Sequence, residues 1–270
     1  MKFFSTIKSQ LIYGLKFLGY LITSRHWGGY SIHSPFMFRF YKRVLWPGRR
    51  KELKRVRSRV RLMKRDQRLI SCDKVFGAGS GWVRSGGERL SRIVRHSSIH
   101  YKYGKVLYSL VREFRPSTIL ELGTSVGIST MYLAEGCSNA RIFTLEGCPE
   151  KMAVSRENAE YMGYNHIRHV QGEFSHELPK LLPQIGPLDL VFIDGDHRKD
   201  QTTGYFKQLL PWIHSDSIVI LDDIHWSDQM TRAWETIISQ PGVRVSVDLF
   251  RMGILLFKKE LSPQRFQIRY

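Results

Sequence analysis

The chain has 270 residues, 42% of them hydrophobic, and a formal net charge of +18. That length suffices for one large α/β domain plus an extension, and the apolar fraction is that of a globular protein. Its three cysteines, Cys72, Cys137 and Cys148, form no CxxC pair. They are too few and too scattered for a disulfide framework, they give a zinc or iron–sulfur site no support, and their usage fits a reducing, cytoplasmic setting.

The charge is unevenly spread. Residues 1–116 carry 27 Lys and Arg against 5 Asp and Glu, whereas residues 117–270 carry 15 against 19. Two regions with different tasks therefore meet near residue 116. In the first, Phe3, Phe4, Ile7, Leu11, Leu15, Leu18, Leu21 and Ile22 recur at helical spacing. Lys2, Lys8 and Lys16 interrupt that run, which falls short of the ~20 apolar residues a membrane span needs. No small-residue cleavage site follows, which argues against a secretory signal. The pattern predicts an amphipathic helix over 1–24 that packs on the main domain, the alternative being a helix on a membrane surface.

Residues 25–40 are aromatic and turn-rich, with Gly28-Gly29 and Ser34-Pro35 as breakers. Residues 41–70 interleave Lys and Arg with Val44, Leu45, Leu53, Val56, Val60 and Leu62, a spacing that predicts a basic helix after Pro47-Gly48. Residues 76–87 form a Gly/Ser-rich loop, and 89–114 read as helix. Phe76-Gly-Ala-Gly-Ser-Gly81 imitates a nucleotide loop, but its preceding strand is short and broken and no acidic strand end follows. A loop that orders over the active site is the better reading.

Beyond Pro116 the period changes. Apolar runs at 118–122, 140–145, 167–171, 188–193, 217–221, 243–249 and 253–257 alternate with helical stretches at 127–136, 149–163, 174–184, 200–213 and 228–239. Alternation of this kind predicts crossover connections and a largely parallel sheet covered on both faces. The last two runs are separated by only Phe250-Arg251-Met252. They should form an antiparallel pair at one edge.

Ile119-Leu-Glu-Leu-Gly-Thr-Ser-Val-Gly-Ile-Ser-Thr130 reads as a strand, a glycine turn and a helix start. Glycine lets the backbone bend sharply and approach a ligand at the carboxyl end of a strand. A carboxylate at Glu121 would repel a pyrophosphate but suit sulfonium and ammonium groups. Glu146 ends the next strand, placed to accept hydrogen bonds from ribose hydroxyls. Gly172-Glu173 follows the third strand, where an adenine could be contacted.

With these residues in view, the second region resembles the class I S-adenosylmethionine-dependent methyltransferases. More narrowly it is similar to the O-methyltransferases related to catechol and caffeoyl-coenzyme A methyltransferases. The segments ILELGTSVGIST (119–130), FTLEG (143–147), LVFIDGDH (190–197) and IVILDDIHW (218–226) carry the likeness, in the expected order. The resemblance implies a Rossmann-like methyltransferase fold: a seven-stranded, mostly parallel sheet with an antiparallel last strand, over residues 96–270. A basic, mostly helical extension at 1–95 precedes it. It also implies S-adenosylmethionine held by Glu121, Gly123, Thr124, Ser125, Gly127, Ser129, Glu146, Gly172, Glu173 and Asp194, and a helix from Tyr101 to Leu110 that closes over the cofactor.

Two acidic clusters, Asp194-Gly-Asp-His197 and Asp222-Asp223, end the fourth and fifth strands. Three carboxylates suit a hard divalent ion such as Mg²⁺, and metal-dependent relatives have an Asp, an Asp and an Asn where this chain has Asp194, Asp222 and Asp223. Such an ion would stabilise an alkoxide or phenolate. His197, where relatives place a lysine or histidine base, has a pKa suited to accepting a hydroxyl proton. Asp194 and His197 are thus the catalytic candidates; capping and loop roles are the plain alternatives.

The expected function is methyl transfer to a hydroxyl oxygen of a small molecule. A nucleic-acid methyltransferase is the second reading, but the Asn/Asp-Pro-Pro-Tyr/Phe motif is absent and Ile193-Asp-Gly-Asp stands in its place. A non-catalytic module docking on acidic partners is the third. Candidate partners are a hydroxylated acceptor, nucleic acid or an anionic membrane through residues 42–68, and a second copy of the chain in a homodimer.

Overall fold

The computed structural model describes residues 2–24, 32–72 and 87–270, with the backbone alone for 2–12. The Gly28-Gly29 breaker and the Phe76–Gly81 loop lie outside the described residues. The long amphipathic period yields helix α1 (Lys2–Thr23). Ser34 caps α2 (Pro35–Phe40), its hydroxyl accepting from the Met37 N–H at 3.3 Å, and one π-helical stretch continues it to Leu45. The basic helix expected after Pro47-Gly48 is α3 (Lys54–Met63). The expected 89–114 helix is divided into α4 (Leu90–His96) and α5 (Tyr101–Phe114), because His100 turns extended and its ring accepts from the Lys102 N–H. A short antiparallel ladder joins β1 (Leu69–Ile70) to β2 (Glu88–Arg89).

The second region follows the expected alternation: β3 (Thr118–Leu122), α6 (Ile128–Gly136), β4 (Arg141–Glu146), α7 (Pro149–Met162), β5 (Ile167–Gln171), α8 (Phe174–Ile185), β6 (Leu188–Ile193), α9 (Lys199–Leu209), β7 (Ile213–Leu221), α10 (Asp228–Ile238), β8 (Val245–Asp248), β9 (Gly253–Leu256) and β10 (Gln264–Gln267). The sheet runs β10-β8-β9-β7-β6-β3-β4-β5, and β9 is antiparallel to both its neighbours. Successive side chains point to opposite faces. Ile119, Leu190 and Phe192 join a core with α2–α6, while Leu120, Val191 and Ile193 join one with α8–α10.

Two expectations are corrected. The sheet has eight strands rather than seven, and the β8–β9 pair is not at its edge, because β10 pairs in parallel with β8. Gln264-Arg-Phe-Gln267 has one buried side chain, Phe266, so an edge strand wetted on most positions leaves no periodic signal. The cysteine reading is corrected as well. Cys72 and Cys148 form a disulfide across 76 residues, which removes the ground for inferring a reducing compartment from cysteine usage. Among the described residues, no helix is long and apolar enough to cross a membrane.

Candidate active site

The glycine turn sits where β3 ends between β4 and β6. Gly123 has φ +105°, and a Cβ there would lie 2.0 Å from the carbonyl oxygen of Asp194. The turn is thus pressed against the β6 end, which brings the glycine loop and the Asp194 cluster into one crevice. Gly127 (φ +81°) begins α6 against Ser155 of α7. Ser125 is held at φ +48°, and its N–H donates to Glu146 Oε2 at 2.8 Å. The other Glu146 oxygen accepts from the Cys148 N–H at 2.9 Å. Glu146 therefore ties the loop to β4.

Glu121 is fully buried, with Oε2 accepting from Thr130 at 2.5 Å and Thr144 at 2.6 Å. Burial pushes its carboxyl up, while the hydroxyls of Ser129, Thr130 and Thr144 pull it back. Its Oε1 is buried and accepts no hydrogen bond. An unmet carboxylate oxygen beside a glycine turn suits a ligand with cationic groups, so the donor set fits S-adenosylmethionine. Thr124 turns inward, its hydroxyl 2.5 Å from that of Thr144. The Gly172 N–H donates to the Glu146 carbonyl at 3.0 Å. Glu173 instead lies 3.7 Å from His176.

Asp194, His197, Asp222 and Asp223 do come together. His197 Nε2 stands 3.8 Å from Asp194 and 4.0 Å from Asp223. Asp223 is held at φ +52°, an uncommon backbone state for a non-glycine residue. Burial first, then the Asp223 carboxylate, pushes both Asp194 and Asp222 upward. Asp222 is 1% exposed, and among the described residues neither of its oxygens accepts a hydrogen bond.

The cation seated in this cluster is Arg251, whose Nε lies 3.0 Å from Asp223 and 3.7 Å from Asp222. Among the described residues, no three Asp, Glu, His or Cys side chains converge as a metal shell. With a guanidinium against two of the three expected ligands, the side chains as placed do not fit a divalent ion.

Residues of the N-terminal extension and the β8–β9 turn complete the site. Tyr13 of α1 meets Phe250 at 5.2 Å and Trp226 at 5.9 Å between ring centroids. Burial, then Asp223, pushes the Tyr13 phenol up. Tyr20 is buried, its hydroxyl donating to the carbonyls of Ile268 and Asp248. The helix expected to pack on the main domain does so. His225 is engaged by Asp248 at 2.8 Å. Tyr13 and Arg251 escaped sequence reasoning because no pattern links them to strand ends more than 25 positions away.

The basic helix also reaches the cofactor loop. Arg59 donates to Asn158 Oδ1 at 2.6 Å, and the buried Asn158 donates from Nδ2 to the Val126 carbonyl at 2.7 Å. Asn158→Ala should cost about 1–3 kcal/mol, because it strands the Val126 carbonyl. It should also weaken cofactor binding. Chemical denaturation and calorimetric titration check both effects, and wild-type stability would remove this link.

Comparison with known proteins agrees with this geometry. Residues 120–224 match a family described as a methyltransferase domain. A catechol O-methyltransferase of Niastella koreensis is 35% identical over 116 residues, covering 42% of this chain and 52% of that one. A catechol O-methyltransferase of Mycobacterium tuberculosis is 33% identical over 144 residues, covering 53% and 61%. The chain therefore spans little more than half the length of these relatives. An O-methyltransferase from Bacillus cereus, solved in complex with S-adenosylhomocysteine (SAH), has a TM-score of 0.54 at 21% identity, covering 81% of this chain and 96% of that one.

The chain carries the class I methyltransferase fold. Within that fold, the Gly123 turn, Glu121 and Glu146 lie at the strand ends where a ligand binds in an open α/β sheet, and the acidic cluster lies beside them.

Proposed function

We propose that the protein is an S-adenosylmethionine-dependent O-methyltransferase acting on a hydroxylated small molecule. One observation carries the reading: Gly123 abuts Asp194, so the cofactor loop and the Asp194–His197–Asp223 cluster share one crevice. Bound S-adenosylmethionine would supply an electrophilic methyl group on a sulfonium, the sulfur keeping the C–S electron pair. Glu121 is the acceptor for its cationic end, and Glu146 lies beside the loop for ribose hydroxyls. His197 receives the acceptor's hydroxyl proton. Tyr13, Trp226 and Phe250 give that side an aromatic wall, suited to a flat acceptor. Positioning two reactants in one water-poor crevice is the main contribution of the protein. The relatives named as catechol O-methyltransferases support this class of acceptor.

Calorimetric titration with SAH tests the reading. Glu146→Ala should weaken binding roughly ten- to a hundredfold, from the loss of charged hydrogen bonds of about 1.5–3 kcal/mol. Folded wild-type protein with no heat and no thermal shift at millimolar SAH would sink the proposal.

The basic segment serves two ends. Arg55 donates to the Met162 carbonyl, Arg59 to Asn158, and Arg68 pairs with Glu157, so part of the charge fastens the extension to the domain. Arg57, Arg61, Lys64, Arg95 and His100 instead line a groove of about 400 Å³. We take this groove as the face that meets an anionic surface. Binding to RNA or to anionic vesicles should be measurable at low salt and fall steeply as salt rises. No binding at low salt would leave the segment a structural role alone.

A further inference from the structure

The acidic cluster carries its own cation, and that cation is built for contact. Arg251 sits at the tip of the β8–β9 hairpin, which is pinned from two sides. Its carbonyl accepts from the Ile224 N–H at 3.1 Å, just after Asp222-Asp223, and its N–H donates to the Leu249 carbonyl at 2.9 Å. Tyr103 of α5 donates to that same Leu249 carbonyl at 3.1 Å. The ion pairs to Asp222 and Asp223 run through Nε.

A guanidinium has five N–H donors. Among the described residues the buried Nε of Arg251 makes no hydrogen bond, and the side chain is 31% exposed. A guanidinium keeps its charge throughout the working pH range, and here Asp222 and Asp223 stand against it. A charged donor set thus stands beside Asp223, His197's acidic neighbour, and near enough to Tyr13 for its charge to act on the phenol.

We propose that Arg251 takes the part a metal ion would play: its guanidinium meets the acceptor oxygen and stabilises the negative charge that develops there. The inference rests on the methyl-transfer reading of the crevice. The hydroxyl O–H bond breaks with its proton passing to His197, and the oxygen uses the retained pair to bond the methyl carbon. The C–S pair leaves on sulfur, and Arg251 makes and breaks no covalent bond. Fixed donors aimed at developing charge are effective because they need no reorganisation when the charge appears. The same guanidinium stands 3.7 Å from Asp222.

The test compares wild type, Arg251→Lys and Arg251→Gln. Mn²⁺ binding is followed by electron paramagnetic resonance with SAH present, and methyl transfer to catechol is measured in excess EDTA. Wild type should bind no Mn²⁺ up to millimolar concentration and should turn over in EDTA. Arg251→Gln should lose kcat by roughly 10²–10³-fold with SAH affinity unchanged. Arg251→Lys should fall between, and added guanidinium should restore part of the Gln variant's rate.

A merely structural arginine would instead alter SAH affinity or thermal stability and leave kcat alone. Micromolar Mn²⁺ affinity in wild type would overturn the proposal. So would activity abolished by EDTA and restored by Mg²⁺, or wild-type kcat in Arg251→Gln. Failure of wild type to bind SAH counts against the methyl-transfer reading, whereas the Mn²⁺ result bears on Arg251 by itself.

Discussion

Gly123→Val is expected to damage both cofactor binding and the fold. The position has φ +105°, a conformation that a β-branched residue adopts only under strain, costing about 1–3 kcal/mol. The added Cβ would also lie 2.0 Å from the Asp194 carbonyl oxygen, and that contact is with backbone rather than with a movable side chain end. Overpacking of this kind costs about 1–3 kcal/mol more.

Relief requires β3 and β6 to part, although Asp194 N–H bonds the Leu122 carbonyl at 2.8 Å just before the glycine. The variant should therefore unfold about 2–6 kcal/mol more easily, the sum of the two costs, and show no SAH binding where it does fold. Denaturant unfolding and calorimetry would settle it. A variant with the wild-type midpoint and wild-type affinity would show that the turn is neither tight nor part of the site.

His197→Ala should leave SAH binding intact and depress methyl transfer near neutral pH by roughly 10²–10⁴-fold, the usual contribution of a positioned general base. The deficit should shrink as pH rises, because an acceptor that ionises unaided no longer needs the imidazole. His197 Nε2 lies 3.8 Å from Asp194 and 4.0 Å from Asp223, too far for hydrogen bonds that would tie the ring to either carboxyl. His197→Gln keeps a polar side chain of similar reach and should show the same deficit. A deficit constant across pH would point to a positioning role for the ring. An undiminished rate would leave the proton to another group.

The two experiments separate the halves of the crevice. The first acts where cofactor loop and acidic cluster touch, the second on the acceptor side alone. Asn158→Ala adds a third view from the N-terminal extension, since Arg59 reaches the loop only through that side chain.

The sequence by itself determined most of the second region. Its central strands β3 and β6 are short apolar runs buried on both faces, so period and burial coincide, and they fall on the expected residues, as does the half-exposed edge strand β5. Glu121, Gly123, Glu146 and Asp194 were legible because each sits at a strand end, and parallel strands deliver their carboxyl ends to one edge of the sheet. Local chemistry of that kind is encoded locally.

Only the tertiary structure decided what depends on contacts between distant segments. The eighth strand is largely polar and pairs with β8, with Phe266 its one buried side chain in the core. The disulfide joins cysteines 76 residues apart. Tyr13 reaches the site because α1 folds back on the β8–β9 turn, and Arg251 reaches Asp222 and Asp223 because a three-residue turn between antiparallel strands points it there. Three carboxylates in a row of motifs read as a metal shell. The charge that balances them comes from a turn whose direction no local pattern specifies.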